Sequence, residues 1–269
     1  MISIVPGGGL ANRMRAIDSA IALTRNTVKI IWLKNKDLNC DFYQLFKPHH
    51  LFRVVDFNYS KFYAYPNYLF CRAKKLKYLQ EIVRKFLFNQ VFTNPDIEEI
   101  NSKGGSGIKN LKSNKMFIET CERFDNTKKM HEIFIPTDAI QSRVDSIINN
   151  NHNFIGIHIR RTDNIYAIIE SPLSLYLEAI EKQLALDPNV KFFLATDDKD
   201  IKKELLEKYP KHIFTNETPL SRNSAEGIKG ALVDFLCLSN AKLIIGSSSS
   251  SFSSEAANYG NIDLTILKK

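Results

Sequence analysis

The sequence predicts an α/β protein built on parallel sheets, and two observations carry that prediction. The chain opens with strand, glycine loop, helix and strand, and after Pro136 short apolar runs alternate regularly with amphipathic stretches. Strands separated by helices pair in parallel, because each crossover helix carries the chain back to the same end of the sheet. With 269 residues and about 100–200 residues per domain as the usual size, the chain has room for two small domains of this kind.

Residues 2–5 are an apolar run ended by Pro6 and by Gly7, Gly8 and Gly9. Leu10, Ala11, Met14, Ile17, Ile21 and Leu23 recur at helical spacing, and residues 29–33 read as a second strand. From 41 to 92 the chain is rich in aromatic and basic residues. There Leu76, Leu79, Val83 and Phe86 form an apolar stripe flanked by Lys74, Lys75, Lys77, Arg84 and Lys85, which predicts an amphipathic helix packed by its apolar face. Residues 101–113, with Gly104, Gly105 and Gly107, read as a surface loop. Beyond Pro136, strands are expected at 154–159, 191–195, 212–215 and 242–245, and helices at 173–186, 199–208 and 228–239. The change of texture sets domains of 1–137 and 138–269. A doubly wound sheet in the second would bind its ligand beyond the carboxyl ends of its strands.

Composition excludes several classes. With 44% hydrophobic and 25% charged residues the chain is neither disordered nor fibrous. Its apolar runs fall far short of the roughly 20 residues that cross a bilayer, and its N-terminus lacks the regions of a signal peptide, so a cytoplasmic location is expected. Cys40, Cys71, Cys121 and Cys237 lie far apart with no C-x-x-C pair, which argues against a zinc site or a disulfide framework. The formal charge of +8 fits an anionic partner, whether nucleotide, phospholipid surface or nucleic acid. No nucleic-acid motif is present to favour the last.

Three loops that follow expected strands carry residues fit for anion chemistry. The first is His158-Ile-Arg-Arg-Thr-Asp163, the second Thr196-Asp-Asp198, the third the serine run 247–254. Arg160 or Arg161 can grip phosphate oxygens with a planar fork of donors. The serine run precedes a helix, whose free N–H groups and dipole favour an anion. Asp197, Asp198 and Asp200 have the D-x-D spacing of some metal sites, but an aspartate ahead of 201–206 is what a helix start favours, so no metal is expected. The glycine loop 7–12 matches the dinucleotide fingerprint only in part, with Asn12 in the third glycine position, and a tight turn without ligand also explains it.

Taken in order, Gly7-Gly-Gly-Leu-Ala-Asn-Arg13, His158 to Asp163, Leu194 to Asp198, and Val233 to Ala241 followed by the serine run resemble the GDP-fucose-dependent fucosyltransferases. That superfamily contains the α1,2-, α1,6- and protein O-fucosyltransferases. The resemblance implies a GT-B-like α/β fold, two Rossmann-type parallel-sheet domains with a cleft between them. The first would be the acceptor side and the second the GDP-sugar-binding side. It implies Arg160 as the diphosphate ligand supported by Arg161, and His158 beside the guanosine. Asp234 would read guanine, whose N1–H and exocyclic amine a carboxylate accepts. Ser249 and Ser250 would lie near the phosphates, Gly9, Asn12 and Arg13 would approach the sugar diphosphate from the first domain, and Thr196 with Asp197 would lie near the same cleft.

The loop 158–163 is closer to the α1,6-type pattern, whereas Ala11 and Arg13 depart from the α1,2-type loop. The α1,6 resemblance also implies a glutamate base shortly after the motif. Direct counting meets Ile168 there, with Glu170 two residues on, so Glu170 and Asp163 are the candidate bases. The activity implied is inverting, metal-independent transfer of L-fucose from GDP-β-L-fucose to a hydroxyl of an oligosaccharide or glycoconjugate. No cofactor and no nucleic-acid partner are expected; peripheral contact of the basic helix with an anionic membrane at the inner face is the sharper reading of that helix. Transfer from another GDP-sugar, or nucleotide or nucleic-acid binding without catalysis, are the competing readings.

Overall fold

The computed structural model describes residues 1–56, 62–65, 74–104, 115–162, 164–218, 221 and 223–269. The chain divides into two compact units, Met1–Ile135 and Pro136–Lys269.

The first unit runs β1 (Ile2–Pro6), α1 (Leu10–Ala22), β2 (Val28–Trp32), β3 (Phe52–Asp56), α2 (Lys74–Leu87), β4 (Gln90–Phe92), α3 (Asn94–Ser102), β5 (Met116–Thr120) and α4 (Met130–Ile133). Its five strands pair in parallel in the order β3-β2-β1-β5-β4. Central β1 is buried along its whole length, as a strand covered on both faces must be. Leu10, Met14, Ile17 and Ile21 bury one stripe of α1, as their helical spacing requires. The same helix also buries Asp18, whose carboxylate pairs with Arg123 at 2.7 Å, a charge that apolar periodicity does not reveal. The sequence-predicted loop at 101–113 begins inside α3; its residues 105–113 lie outside the described residues.

The helix expected over the stripe Leu76, Leu79, Val83 and Phe86 is present as α2, but it is turned the other way. Gln80 and Arg84 are its fully buried side chains, while Leu76, Leu79 and Phe86 are exposed. Polar bonds set this orientation. Gln80 Nε2 donates to the carbonyls of Phe62 (2.9 Å) and Tyr65 (2.6 Å), and Arg84 donates to the carbonyls of Tyr63 (2.7 Å) and Tyr65 (2.8 Å) and to Glu119 (2.8 Å). Those carbonyls need donors once buried, and that need overrides the apolar stripe.

The second unit runs α5 (Asp138–Ile148), β6 (Ile155–Ile159), α6 (Ile165–Glu170), α7 (Leu173–Leu186), β7 (Phe192–Thr196), α8 (Lys199–Lys208), β8 (Ile213–Thr215), α9 (Ala225–Ser239), β9 (Leu243–Ser247), α10 (Ser251–Gly260) and β10 (Asp263–Leu267). Its parallel order is β10-β9-β6-β7-β8. The chain builds β6, β7 and β8 in one direction, then returns to add β9 and β10 on the other side of β6. The reversal lies between β6 and β9, which is the topological switch point where doubly wound sheets hold ligands. Ile155, Ile157, Ile159, Phe192, Leu194 and Ile245 from the strands pack with Tyr176 and Ile180 of α7 and Leu205 of α8 to form a core. That core leaves the strand ends rigid and their loops free for chemistry.

Candidate functional site

The loops leaving β6 and β9 flank the switch point, and hydrogen bonds stitch them together. The Arg160 N–H donates to Ser247 Oγ at 2.8 Å, and Asn164 Nδ2 donates to the Ser249 carbonyl at 2.9 Å. Ser247 Oγ also shares a hydrogen bond with the Tyr176 hydroxyl at 2.7 Å. Ser248 N–H donates to Ser171 Oγ at 2.8 Å, and Ser248 Oγ donates to the Glu170 carboxylate. The structure therefore brings Arg160 and the serine run to one place.

Asp197 organises the first of these loops. The β6–β7 pairing sets Ile159 opposite Thr196, so the residue after each strand lies beside the other. Asp197 pairs with the Arg160 guanidinium, accepts the Arg161 N–H at 2.7 Å and accepts the Thr162 hydroxyl at 2.6 Å. The Arg161 side chain turns inward, donating to the Arg160 carbonyl at 3.0 Å and lying over the Tyr176 ring. Thr196 is buried and its Oγ1 accepts the Asp198 N–H at 3.2 Å. Asp198 caps α8, accepting the N–H groups of Asp200 and Ile201, as the sequence predicted. Asp163 lies outside the described residues.

His158 lies near the end of β6 with its ring 5.0 Å from that of Phe252. Burial lowers its pKa to about 4, with Arg160 acting in the same direction and Asp197 opposing, so the imidazole is neutral at pH 7. Its Nδ1 is buried without a hydrogen-bond partner. Asp234, on α9, has a buried Oδ1 in the same condition. Burial pushes its carboxyl up to about 7, against the pull of Asn216, Lys202 and Arg143. Orphaned buried polar atoms cost about 1–3 kcal/mol each, and native proteins keep few of them without a reason. A polar ligand would relieve both.

On the serine side, Ser249 adopts a left-handed φ of 54° and Ser250 is the N-cap of α10 with no side-chain capping bond. The first-turn N–H groups of this ten-residue helix thus keep their donor capacity for an anion. Gly246 permits the arrangement: a Cβ there would lie 2.6 Å from Ser253 Oγ. Glu170 ends α6 and is held by Ser248 and, at 3.1 Å, by Lys268. The Ser248 hydrogen bond and then Lys268 lower its pKa, which keeps it anionic and makes it a clamp on the serine loop.

In the first unit, Gly8 has φ of 72° and Gly9 is the N-cap of α1. A Cβ on Gly8 would meet Asn12 Nδ2 at 2.7 Å. Asn12 keeps a buried, unpartnered Oδ1. Arg13, expected to face a sugar diphosphate, is 1% exposed. It donates to the carbonyls of Gly8 (2.9 Å) and Leu33 (2.6 Å) and to Asn35 Oδ1 (3.0 Å), and stacks on Trp32. It is the brace behind the glycine loop.

Tyr176 and Asn164 carry no local signal in the sequence and matter through strand register and burial, whereas Ser247 and Phe252 lie in the serine run without being singled out there.

These features define a protein of two doubly wound α/β units, the second with an arginine loop and a serine loop bonded together at its switch point. No protein-family model matches the sequence. Among solved structures, the chain is similar to the NodZ alpha-1,6-fucosyltransferase soaked with GDP-fucose, with TM-score 0.65 and 17% identity over 96% of this chain and 92% of that one. It is similar to fucosyltransferase NodZ from Bradyrhizobium at TM-score 0.63 and 16% identity, over 95% and 92% of the two chains. POFUT1 in complex with GDP aligns at TM-score 0.57 and 13% identity, over 99% and 97%. The chain has the GT-B-like α/β fold of these fucosyltransferases, as expected from its motifs.

Proposed function

We propose that this chain is an inverting, metal-independent fucosyltransferase that moves L-fucose from GDP-β-L-fucose to a hydroxyl of a glycan acceptor. The observation that carries the reading is the stitching of the Arg160 loop to the serine loop at the β6–β9 switch point. An arginine fork and a helix N-terminus carried on two loops bonded to each other suit a pyrophosphate. The buried, unpaired Asp234 Oδ1 and His158 Nδ1 suit a base with its own donors, and guanine offers two to a carboxylate where adenine does not. Likeness of fold to NodZ soaked with GDP-fucose and to POFUT1 in complex with GDP-fucose supports the same donor.

In this reading the acceptor oxygen attacks the anomeric carbon as the bond to the β-phosphate oxygen breaks, and the acceptor proton passes to a base. Departure of GDP concentrates negative charge on the β-phosphate. Arg160 and the α10 N–H groups, already held in position, stabilise that charge more in the transition state than in the ground state. Asp197 works through Arg160 as a positioning residue. The engagement of Asp197 with Arg160 and of Asp198 with the α8 cap supports a mechanism in which these carboxylates hold protein groups instead of a metal. Arg13 braces the glycine loop of the first unit, which carries Gly9 and Asn12. Thr196 acts by fixing the turn into Asp198. Ser249 and Ser250 face the phosphates, and Arg161 stiffens the loop. For the base, Asp163→Asn and Glu170→Gln are compared; we favour Asp163, because Glu170 is held anionic with a lowered pKa, which weakens a base.

The decisive experiment is transfer by Arg160→Ala over a panel of GDP-fucose, GDP-mannose and UDP-sugars. Wild type is expected to turn over GDP-fucose alone, and the variant to lose about 10²–10³-fold in kcat, the cost of one preorganised oxyanion donor. Near-normal kcat in the variant would refute the assignment.

A further inference from the structure

The inside-out packing of α2 leaves its apolar face exposed among the described residues. Phe86 is 89% exposed and Tyr78 67%, with Leu76, Leu79, Ile82 and Leu87 also exposed, while Gln80 and Arg84 are fully buried. At 100° per residue these six share one side of the helix, roughly half its circumference. The charge on the helix is lopsided: Lys74, Lys75, Lys77, Arg84 and Lys85 stand against the single acid Glu81. Arg84 is tied to Glu119, whereas Lys75, Lys77 and Lys85 have no ion-pair partner among the described residues.

We propose that α2 docks on an anionic phospholipid surface, its exposed apolar face entering the headgroup boundary and its lysines meeting lipid phosphates. Apolar residues set beside unpaired lysines match such a surface in both polarity and charge. The position of Lys75 argues against a second copy of the chain as the occupant. On the helical wheel it falls inside the apolar arc, between Ile82 and Phe86. In a protein interface its ammonium would need an acidic partner that the apolar face of α2 does not offer, since Glu81 lies outside that arc; at a bilayer it extends to the phosphates along its own stem. No described helix is long and apolar enough to cross a membrane, so the contact is with the surface. The inference rests on α2 alone and is independent of the donor assignment.

The test is cosedimentation of the full chain with phosphatidylcholine vesicles, with and without phosphatidylglycerol, at low and high salt. Wild type is expected to partition onto the phosphatidylglycerol vesicles and to be released by salt. Phe86→Asp should weaken partition by roughly tenfold or more through loss of the apolar anchor. The pair Lys75→Glu and Lys85→Glu should abolish the preference for anionic lipid, and the emission of Phe86→Trp should shift to the blue only with anionic vesicles. GDP affinity should be unchanged in all of these variants, which separates this test from that of the donor. The proposal is overturned if wild type stays in the supernatant at low salt, or if Phe86→Asp and the lysine variant bind as wild type does. It is equally overturned if wild type is a dimer in solution that Phe86→Asp makes monomeric.

Discussion

Asp234 joins an unpaired buried oxygen to a carboxyl raised to about 7 by burial. A guanine bound through its N1–H and amine needs the ionised form, so binding GDP must expel the proton. Affinity for GDP should therefore climb about tenfold per pH unit below 7 and level off above it, as linkage requires. Asp234→Asn should bind weakly and without this slope. Calorimetric titration between about pH 5.5 and 8 measures both; a wild-type affinity flat across that range removes Asp234 from the base site. Asp197 makes a different claim, because it touches the Arg160 guanidinium and the backbone that carries it. Asp197→Asn is expected to lower kcat by about 10²-fold through misplacement, and adding Arg160→Ala in that background should cost little more, since the two act as one unit. Additive losses would mean that Asp197 does not act through Arg160. His158, Arg160 and the serines were legible because chemically marked residues follow an apolar run. The part played by Asp197 was not, because it depends on the register that sets Ile159 opposite Thr196.

Periodicity placed β6 to β9 and α7 to α9 of the second unit but did not mark α5. The helices at Leu173–Leu186 and Lys199–Lys208 begin and end where the apolar spacing and the Asp198 cap put them. Short pieces escaped it: α6 spans six residues and β4 three, too few for a period to establish itself. Strand β10 escaped for another reason, since as an edge strand it is largely exposed and lacks the apolar run of a central one. The α2 stripe was read correctly as a pattern and wrongly as a face, because what packs is decided by the carbonyls of residues 62–65 that Gln80 and Arg84 satisfy. The joint between β9 and α10 yields a prediction at this scale. Gly246→Ala would bring Cβ to 2.8 Å from Ser253 Cβ, as well as against its Oγ, inside a buried junction where neither side can withdraw freely. A loss of about 1–3 kcal/mol is expected, as for other overpacked sites, together with weaker GDP binding as the serine loop shifts. Urea unfolding and GDP titration on the same variant check the two effects; unchanged values in both would show that the joint has slack.

The sheet order β10-β9-β6-β7-β8 gives the second unit a place where loops from opposite directions meet, and evolution of a site there needs only suitable residues at two strand ends. The cost of such a site is a set of buried titratable groups, and their effects on stability oppose each other. His158 falls from an ordinary 6.5 to about 4 in the fold, so its contribution is complete above 6.5 and is lost as pH falls towards 4. Asp234 rises from 3.8 to about 7, so its contribution is complete below 3.8 and is lost as pH rises to 7. Between these limits the two slopes have opposite sign, each up to about 1.4 kcal/mol per pH unit, and they nearly cancel. Asp234→Asn keeps only the histidine slope, so its stability relative to wild type should increase steadily from about pH 4 to 7. His158→Phe keeps only the carboxyl slope, so its stability relative to wild type should decrease from about pH 4 to 6.5. Other ionisable groups enter wild type and variants alike and drop out of each difference. Urea unfolding followed by circular dichroism at several pH values gives the two difference curves. Curves that run level with pH would mean that neither group is held in an unusual state, and the case for a guanine pocket around them would go with it.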